Sequence, residues 1–330
     1  MNIVHPLPWT LERTEHAAPF FSVCTDVCNR ARTIRRTIAS IAGQTYRRFE
    51  YIIINNRSDD ESDMEIRRAL AELPLHDVTV TYETTERRIA EIENWNSPLR
   101  LARGRYAVFC EGDDWFSPTH LQEAARVLAD RDDIGLYVSG RGDLDVRVNA
   151  MRYKELDGIV AAPILLRSRM SFTFVPPPSE MIFRRIGSDG LPLFYDADRF
   201  EYAAEYGLYA ALLKQGWSGC INTAARTVFR SPPSYRVAFA RLHDAYTALD
   251  LWRNAYETDA AYRDARMLLL RRAARMLASQ IVWRSLEWPL VRHVVREARM
   301  LRTWMPLQTL PGDVLTTARH HLKLRLSRGH

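Results

Sequence analysis

Residues 106–118 read Tyr-Ala-Val-Phe-Cys-Glu-Gly-Asp-Asp-Trp-Phe-Ser-Pro, an apolar run that leads directly into a cluster of acidic residues. The apolar and aromatic run from Tyr106 to Cys110 lies between two glycines, which predicts a buried strand. Ser117 and Pro118 suit the cap and the first position of a helix. Three carboxylates therefore occupy the turn after a strand. In an open α/β sheet, this is the edge at which ligands bind.

The carboxylates of Glu111, Asp113 and Asp114 indicate a cation site. Clustered carboxylates repel one another unless a cation or a polar ligand lies among them. Oxygen ligands at this spacing suit Mg²⁺ or Mn²⁺ that stays partly hydrated and bridges the phosphates of a ligand. On these residues alone, the alternative is an acidic surface turn that caps a helix.

Length and composition are typical of a globular protein with one large domain and an appendage. The chain has 330 residues, with 46 Lys and Arg against 40 Asp and Glu. We find no signal segment at the N-terminus, and no apolar run approaches the ~18 residues of a membrane span. The four cysteines lie mostly in apolar surroundings, and no second Cys/His pair accompanies Cys24 and Cys28 at zinc spacing. Free thiols in a reducing compartment are expected, and hence a cytoplasmic location.

The segment 20–234 alternates apolar strands with helices, after a leader of residues 1–19 that contains three prolines. Strands are predicted at 20–24, 49–54, 78–82, 106–110, 134–138 and 180–183. Helices are predicted after Thr33, after Asp60 and at 92–101, the last interrupted by Pro98. This order implies a doubly wound, mostly parallel α/β sheet. The loops 25–29, 55–60 and 111–114 at the carboxyl ends of its strands then share one crevice.

Several segments between residues 20 and 230 follow one another in a recognisable order. They are 22–30, 44–46, 49–58, Asn-Trp-Asn at 94–96, 102–106, Glu-Gly-Asp-Asp-Trp at 111–115, and 202–216. Together they resemble family 2 glycosyltransferases. The resemblance implies the GT-A fold, a single α/β domain that binds a nucleotide-sugar. Within it, the segment 111–115 is similar to the metal-binding D-x-D turn, in a form that many bacterial members have.

The resemblance also implies a set of donor-binding residues in the loops of the crevice. They are Thr25, Asp26, Asn29, Asn55, Asn56, Arg88, Asn96, Glu111 and Gly112. Thr25 would line the nucleobase pocket, and Glu111 would reach the ribose or a metal-bound water. The position of Asn55 is usually Asp in the family, where it accepts the imide hydrogen of uracil, and Asn offers an acceptor oxygen without a charge. A UDP-sugar is the leading donor, with guanine or thymine left open.

In the same resemblance, Asp113 is the direct ligand of Mn²⁺ or Mg²⁺. Asp114 supports Asp113 without touching the metal, or acts from the end of the following helix. Arg88, or its neighbour Arg87, would neutralise the diphosphate or belong to a solvated basic turn. Arg230 ends an apolar strand and would touch a phosphate or pair with a carboxylate. Trp115 would stack on a sugar or pack in the core.

Sugar transfer needs a base that removes the proton of the acceptor hydroxyl. In the resemblance, Glu205 falls on the catalytic Asp of the family, while Ala204 replaces the preceding Glu. The alternative is that Glu205 is an exposed helical carboxylate, one turn from Glu201. Asp196 and Asp198 are reserve candidates. Direct attack on the face opposite the nucleotide would invert the anomeric centre.

The character of the chain changes at residues 235–330, which have helical periodicity and 17 Arg and Lys against 8 Asp and Glu. Basic amphipathic helices with tryptophan can lie on an anionic membrane surface. They can equally pack on the catalytic domain or on a second copy of the chain. The expected location is thus cytoplasmic, with a peripheral contact at the inner face of the cell membrane as one option.

The sequence therefore predicts a metal-dependent, inverting glycosyltransferase that acts on a hydroxyl of a bacterial surface glycan or lipid-linked glycan. A catalytically degenerate nucleotide-sugar-binding scaffold is the alternative that the substitutions at Asn55 and Ala204 support. A nucleic-acid-binding protein is disfavoured, because the ligand edge of the sheet is acidic and the arginine excess lies in the C-terminal helices.

Overall fold

The computed structural model describes residues 19–144, 158–161, 176–200, 204–230 and 238–251, together with scattered residues between 253 and 300. The expected leader, apart from Pro19, lies outside the described residues. So does most of the basic C-terminal region, and what was expected of these segments stays a prediction.

The described residues alternate strands and helices along the chain. The strands are β1 (Phe21–Val27), β2 (Phe49–Asn55), β3 (Thr79–Thr84), β4 (Tyr106–Phe109), β5 (Trp115–Phe116), β6 (Ile134–Ser139), β7 (Gly158–Val160), β8 (Met181–Arg184), β9 (Ser218–Asn222) and β10 (Val228–Phe229). The helices are α1 (Ile34–Ala42), α2 (Ser62–Glu72), α3 (Glu91–Leu101), α4 (His120–Leu128), α5 (Glu205–Lys214) and α6 (Ala238–Leu251).

Within the described residues, eight strands form one sheet in the order β3-β2-β1-β4-β8-β6-β9-β7. The pairs β1–β2, β1–β4, β2–β3 and β6–β9 are parallel, and β8 runs antiparallel between β4 and β6. A separate antiparallel pair joins β5 to β10. This mostly parallel, doubly wound α/β architecture confirms the expected fold class.

Apolar runs explain why these strands form the centre of the molecule. Phe21 of β1 pairs with Phe49 of β2 and Tyr106 of β4, and all three side chains are buried. α1 covers the sheet with Ile34, Ile38 and Ile41, which lie on one face of the helix and are fully buried. The central strands β1, β2 and β4 are buried along most of their length and are mainly apolar, whereas the edge strand β3 is half-buried and alternates polar with apolar residues.

Two helices differ from their predicted form. α4 begins at His120 instead of Pro118, because the Ser117 N–H donates to the Thr227 carbonyl and so continues the pairing of β5 with β10 (2.8 Å). α3 continues through Pro98, although an interruption was expected there. Proline removes only one helical hydrogen bond, and the buried side chains of Trp95 and Leu99 hold this helix against the sheet.

Contacts divide the chain into two compact units, residues 1–169 with 173–235, and residues 170–172 with 236–330. In the second unit, the Arg266 guanidinium lies 3.0 Å from the Glu297 carboxylate, and both side chains are at most 10% exposed. No helix in the described part of the chain is both long and apolar enough to cross a membrane.

Candidate active site

The acidic turn 111–114 lies where β1, β2 and β4 end, at the carboxyl edge of the sheet. Its backbone extends the pairing of β4 with β1, since the Cys110 N–H donates to the Cys24 carbonyl (2.9 Å) and the Gly112 N–H to the Asp26 carbonyl (3.2 Å). A Cβ atom at Gly112 would lie 2.9 Å from the Asp26 carbonyl oxygen. Glycine is therefore required here by the close approach of two backbones.

Side chains from the first turns of α1 fix the carbonyl groups of the acidic turn. The Thr33 hydroxyl donates to the Gly112 carbonyl (2.9 Å), and the Thr37 hydroxyl donates to the Asp114 carbonyl (2.7 Å). Arg36 donates to the Asp113 carbonyl (3.3 Å), and its guanidinium packs 3.5 Å from the ring centre of Trp115. With its carbonyls held, the turn can direct its carboxylates into the crevice.

Two arginines pair with the carboxylates of the turn. Arg230 donates from Nε to Asp114 Oδ2 (2.9 Å) and from Nη2 to Glu111 Oε2 (2.8 Å). Arg30 Nε lies 3.4 Å from Asp113 Oδ2. Of the two alternatives for Arg230, the structure shows pairing with carboxylates. The Asp114 side chain is 2% exposed and that of Asp113 is 30% exposed, so Asp113 is the more accessible.

The pKa values of three neighbouring carboxyl groups are raised. Burial is the largest cause at Asp26, Asp113 and Asp114, and the charge of Glu111 raises all three further. Arg30 opposes this at Asp26 and Asp113, and Arg230 opposes it at Asp113 and Asp114. The arginines therefore do not fully offset the concentration of negative charge, which leaves the crevice suited to a cation.

Three buried polar atoms at this edge accept or donate no hydrogen bond within the described residues: Asp26 Oδ1, Asn94 Oδ1 and the Tyr195 hydroxyl. Asp26 Oδ2 accepts a hydrogen bond from Asn94 Nδ2 (3.3 Å), so two of these atoms belong to one hydrogen-bonded pair. Because buried polar groups are normally hydrogen-bonded, this grouping indicates a place for a polar ligand or ordered water.

The loops after β1 and β2 are joined through Ser58. The Asn29 N–H donates to the Ser58 hydroxyl (2.9 Å), which in turn donates to Asn55 Oδ1 (2.7 Å). Asn29 Oδ1 accepts from the Asp59 N–H (2.8 Å), and Asn55 Nδ2 donates to the Tyr82 hydroxyl (3.2 Å). The structure thus brings Asn29 and Asn55 together as parts of one rigid rim.

Other predicted donor residues have clear structural partners. Asn56 pairs with the backbone of Ile89 through both ends of its amide (2.8 and 2.9 Å), which ties the loop after β2 to the start of α3. Arg88 donates to Asp59 (2.7 Å) in an exposed ion pair beside the same rim. Their assigned contacts with a donor stay predictions.

Thr25 and Asn96 are buried, as are Asn55 and Asn56, and both make hydrogen bonds within the protein. Thr25 is fully buried and accepts a hydrogen bond from the Tyr51 hydroxyl (3.2 Å). Asn96 is 3% exposed and uses its whole amide to hold the Tyr195 backbone, donating to its carbonyl and accepting from its N–H (2.8 Å each). The observed role of Asn96 is to position Tyr195.

Glu205 is the first residue of α5 and is 3% exposed. The alternative that it is an exposed helical carboxylate is therefore wrong. Burial raises the pKa of Tyr195, and the charges of Glu205 and Glu111 raise it further. Glu205 and the acidic turn thus act on the same tyrosine. The reserve candidate Asp196 pairs instead with Arg199 (2.8 Å).

Local sequence patterns assign no specific role to Arg30 or Ser179. Ser179 lies in the turn before β8, and its hydroxyl accepts a hydrogen bond from the Glu111 N–H (3.2 Å). The proline run at 176–178 was the one local signal for this loop. Trp115 stacks on Phe229 with ring centres 5.4 Å apart, so the structure favours packing for it over an open stacking face.

The donor set fits a divalent cation that is completed by a ligand. Within the described residues, His, Cys, Asp and Glu do not gather in a group of three that could hold a metal by themselves. Mg²⁺ and Mn²⁺ are commonly held by one or two carboxylates together with substrate phosphates and water. Asp113 offers an accessible carboxylate, and the unpartnered Asp26 Oδ1 is a further acceptor oxygen beside the turn.

Comparison with solved structures supports the class of fold. The chain is similar to Staphylococcus aureus TarS in complex with UDP, with 14% identity, 91% of each chain covered and a TM-score of 0.59. It is also similar to the mannosyltransferase PcManGT from Pyrobaculum calidifontis in complex with GDP-Man and Mn²⁺, with 18% identity, 95% and 89% covered and a TM-score of 0.56. At these identities the likeness concerns the GT-A fold alone.

Residues 22–187, half of the chain, match the family model described as glycosyl transferase family 2. The chain belongs to this family. It is 25% identical to the uncharacterised glycosyltransferase YwdF of Bacillus subtilis over 179 residues, 53% of this chain and 61% of YwdF. It is 27% identical to the putative glycosyltransferase EpsH of the same organism over 124 residues, 35% of this chain and 32% of EpsH. The chain thus matches less than two thirds of the length of either relative.

Proposed function

We propose that this chain is a metal-dependent, inverting glycosyltransferase that moves a sugar from a nucleotide-diphosphate donor to a hydroxyl of a glycan or glycolipid. The observation that carries the proposal is the acidic turn 111–114, held beside the partly unsatisfied carboxyl group of Asp26 at the carboxyl edge of the sheet. Membership of glycosyl transferase family 2 supports sugar transfer. The UDP complex of TarS and the GDP-Man and Mn²⁺ complex of PcManGT support the class of donor and cofactor.

The donor would lie along the rim that Asn29, Asn55 and Ser58 form. Arg88 is paired with Asp59 in an exposed contact, and such pairs contribute little stability, so Arg88 can exchange that partner for a diphosphate oxygen. Asn55 is 1% exposed, and its side chain accepts from Ser58 and donates to the Tyr82 hydroxyl, so it would shape the rim instead of offering free groups to a base. UDP-sugars and GDP-sugars match the nucleotides in the TarS and PcManGT complexes and are the two donor classes to test first.

Asp113 would hold the divalent cation, which is Mn²⁺ or Mg²⁺. When bound, such a cation stabilises the negative charge that develops on the departing diphosphate. Asp114 is buried against Arg230 and Thr37, so we assign it the positioning of the turn instead of direct contact with the cation. Arg30 lies beside Asp113 and can move to a phosphate oxygen when the cation takes that carboxylate.

Glu205 would act as the base that removes the proton of the acceptor hydroxyl. It is the first residue of α5, so its carboxyl group lies at the electropositive amino end of that helix. Attack by the acceptor from the face opposite the diphosphate gives inversion. The basic composition of residues 235–330 supports an acceptor at the inner face of a membrane and hence a cytoplasmic enzyme.

The test is a screen of UDP-sugars and GDP-sugars for nucleotide release, with and without Mn²⁺. We expect release from one donor that depends on the cation, and its loss in Asp113→Ala. The matched control is Asp133→Ala, an exposed aspartate before β6 that should leave release unchanged. Donor binding without release or transfer would favour a nucleotide-sugar-binding scaffold and overturn the proposed catalysis.

A further inference from the structure

A cavity opens at the opposite edge of the sheet from the acidic turn, where β1, β2 and β4 begin. Its volume is about 390 Å³, within the range of small-molecule sites. Five of its lining residues are arginines and none of the described residues that line it is acidic. The arginines are Arg48, Arg103, Arg105, Arg184 and Arg185.

Carboxylates pair with only part of this positive charge. Arg103 pairs with the buried Glu50 (2.8 Å), whereas Arg105 and Arg184 both pair with Asp132, whose side chain is 90% exposed. Pairs with so exposed a carboxylate are strongly screened by solvent. Arg105 and Arg184 can therefore exchange Asp132 for another anion.

Arg185 has no carboxylate partner among the described residues. It donates to the carbonyl oxygens of Gly104 (2.8 Å) and Arg103 (3.5 Å). Burial lowers the pKa of its guanidinium, and the charge of Glu50 opposes that effect. The cavity therefore holds a partly buried cation that no carboxylate of the described residues contacts directly.

An aromatic ring at the cavity restricts the positions of two of these arginines. The guanidiniums of Arg48 and Arg105 lie 5.8 and 5.9 Å from the ring centre of Phe20, and the ring of Tyr46 packs against the same phenylalanine at 6.2 Å. Arginines held against an aromatic ring lose less freedom when they bind an anion, because their positions are already restricted.

We propose that this cavity binds a multiply charged, phosphate-bearing anion at a site separate from the candidate active site. Guanidinium groups match the oxygen geometry of phosphate with paired hydrogen bonds. Several converging guanidiniums require more than one negative charge, which a diphosphate or a phosphorylated small molecule supplies, as does the phosphomonoester headgroup of phosphatidic acid. Among the described residues that line the cavity, the charged groups are all guanidiniums, so they would hold the phosphate oxygens without a divalent cation.

The test is calorimetric titration of the full chain with inorganic pyrophosphate in a buffer that contains EDTA. We expect saturable binding that weakens at least tenfold in the double variant Arg48→Gln/Arg185→Gln. The matched control is Arg67→Gln/Arg68→Gln, which removes the same charge from the exposed face of α2 and should keep the affinity within twofold.

Flotation with phosphatidylcholine vesicles, with and without phosphatidic acid, separates the two sources of phosphate. If the parent protein binds vesicles but not pyrophosphate, and the double variant loses vesicle binding, the ligand is a lipid headgroup. If the parent binds pyrophosphate but not vesicles, and the double variant loses pyrophosphate binding, the ligand is soluble. The single variant Arg48→Gln serves if the double variant fails to fold, because the Arg48 side chain is exposed. The proposal is overturned if neither probe binds, or if binding is equal in the cavity variants and the control.

Discussion

At the end of β1, the buried carboxyl group of Asp26 makes the stability of the fold depend on pH. Burial, followed by the charge of Glu111, raises its pKa well above the usual value of about 3.8, and Arg30 opposes the shift. The folded protein therefore holds the Asp26 proton at pH values where the unfolded chain has released it. This contribution to stability is lost as the pH rises from about 3.8 through the pKa of the folded state.

We expect Asp26→Asn to raise the melting temperature of the metal-free protein at pH 8, because the amide stays neutral without holding a proton. For each tenfold increase in proton affinity that burial gives the Asp26 carboxylate, the free energy of unfolding of the variant should exceed that of the parent by about 1.4 kcal/mol at high pH. Thermal unfolding at pH 4 and pH 8 would show the difference narrowing at the lower pH. A variant that is less stable than the parent at pH 8 would contradict this account, and donor affinity should fall in either case.

Glu205→Gln tests the proposed base at the same scale. The amide keeps the size of the side chain but cannot accept a proton, so turnover should fall by about 10²-fold or more while donor binding persists. Steady-state transfer and donor titration measure the two quantities separately. Near-normal turnover would remove Glu205 from the mechanism. Asp196→Asn is the control, since that carboxylate pairs with Arg199.

At the scale of elements, α1 and the acidic turn form one unit. The Thr37 hydroxyl of α1 is fully buried and donates to the Asp114 carbonyl across 77 residues of chain. Arg36 and Thr33 make the parallel contacts with Asp113 and Gly112. The geometry of the carboxylates therefore depends on how α1 packs on the sheet, and not on the turn alone.

Thr37→Val preserves the shape of the side chain and removes its hydrogen bond to the Asp114 carbonyl. A buried acceptor left without its donor costs about 1–3 kcal/mol, and we expect that loss of stability together with a higher KM for the donor. Chemical denaturation and steady-state kinetics measure the two effects. Thr79→Val on the edge strand β3 is the control. Unchanged stability in Thr37→Val would show that water replaces the hydroxyl.

The sequence predicted the positions of strands correctly where burial alone determines which residue types a strand contains. The cores of β1, β2 and β4 were foreseen because strands covered on both faces must be apolar. The start of α4 was placed too early, since the pairing of Ser117 with Thr227 depends on a segment about 110 residues further along the chain. The pattern of residues around Pro118 contains no information about that distant partner.

Within the candidate site, the acidic turn was predictable and its counter-charges were only partly so. Arg230 follows Asp114 by 116 residues, and the local sequence left its partner open between a phosphate and a carboxylate. Asn96 was assigned to the donor, whereas the structure uses its amide to hold Tyr195 across 99 residues. When a side chain has several possible polar partners, tertiary packing decides which partner it takes. Local sequence patterns do not encode that packing.

At the scale of the whole molecule, the first unit carries acidic and basic side chains at opposite edges of its sheet. The second unit contains a buried ion pair. One edge of the sheet carries the carboxylates of the acidic turn, and the opposite edge carries the arginine-lined cavity. In the second unit, Arg266 compensates Glu297, whose pKa is raised by burial and lowered by that arginine.

Arg266→Met should lower the unfolding temperature of the second unit, because among the described residues it leaves the buried Glu297 with only the exposed Arg296 guanidinium, 3.8 Å away, as a counter-charge. Breaking a buried pair from one side costs about 3–5 kcal/mol. Differential scanning calorimetry measures this loss, and we expect donor binding by the first unit to stay unchanged. Arg263→Met, at an exposed neighbouring position, is the control. Equal transitions in the two variants would show that the pair contributes nothing.

The contacts of Ser58 have a consequence for engineering this protein. Its hydroxyl accepts a hydrogen bond from the Asn29 N–H and donates one to the Asn55 side chain, so it links the two loops beside the contact of the Asp59 N–H with Asn29 Oδ1. Substitution of Asn55 alone would remove the acceptor that orients the Ser58 hydroxyl, and so would affect the loop after β1 as well. Libraries that vary residue 55 while keeping Ser58 would preserve the contact with the Asn29 backbone.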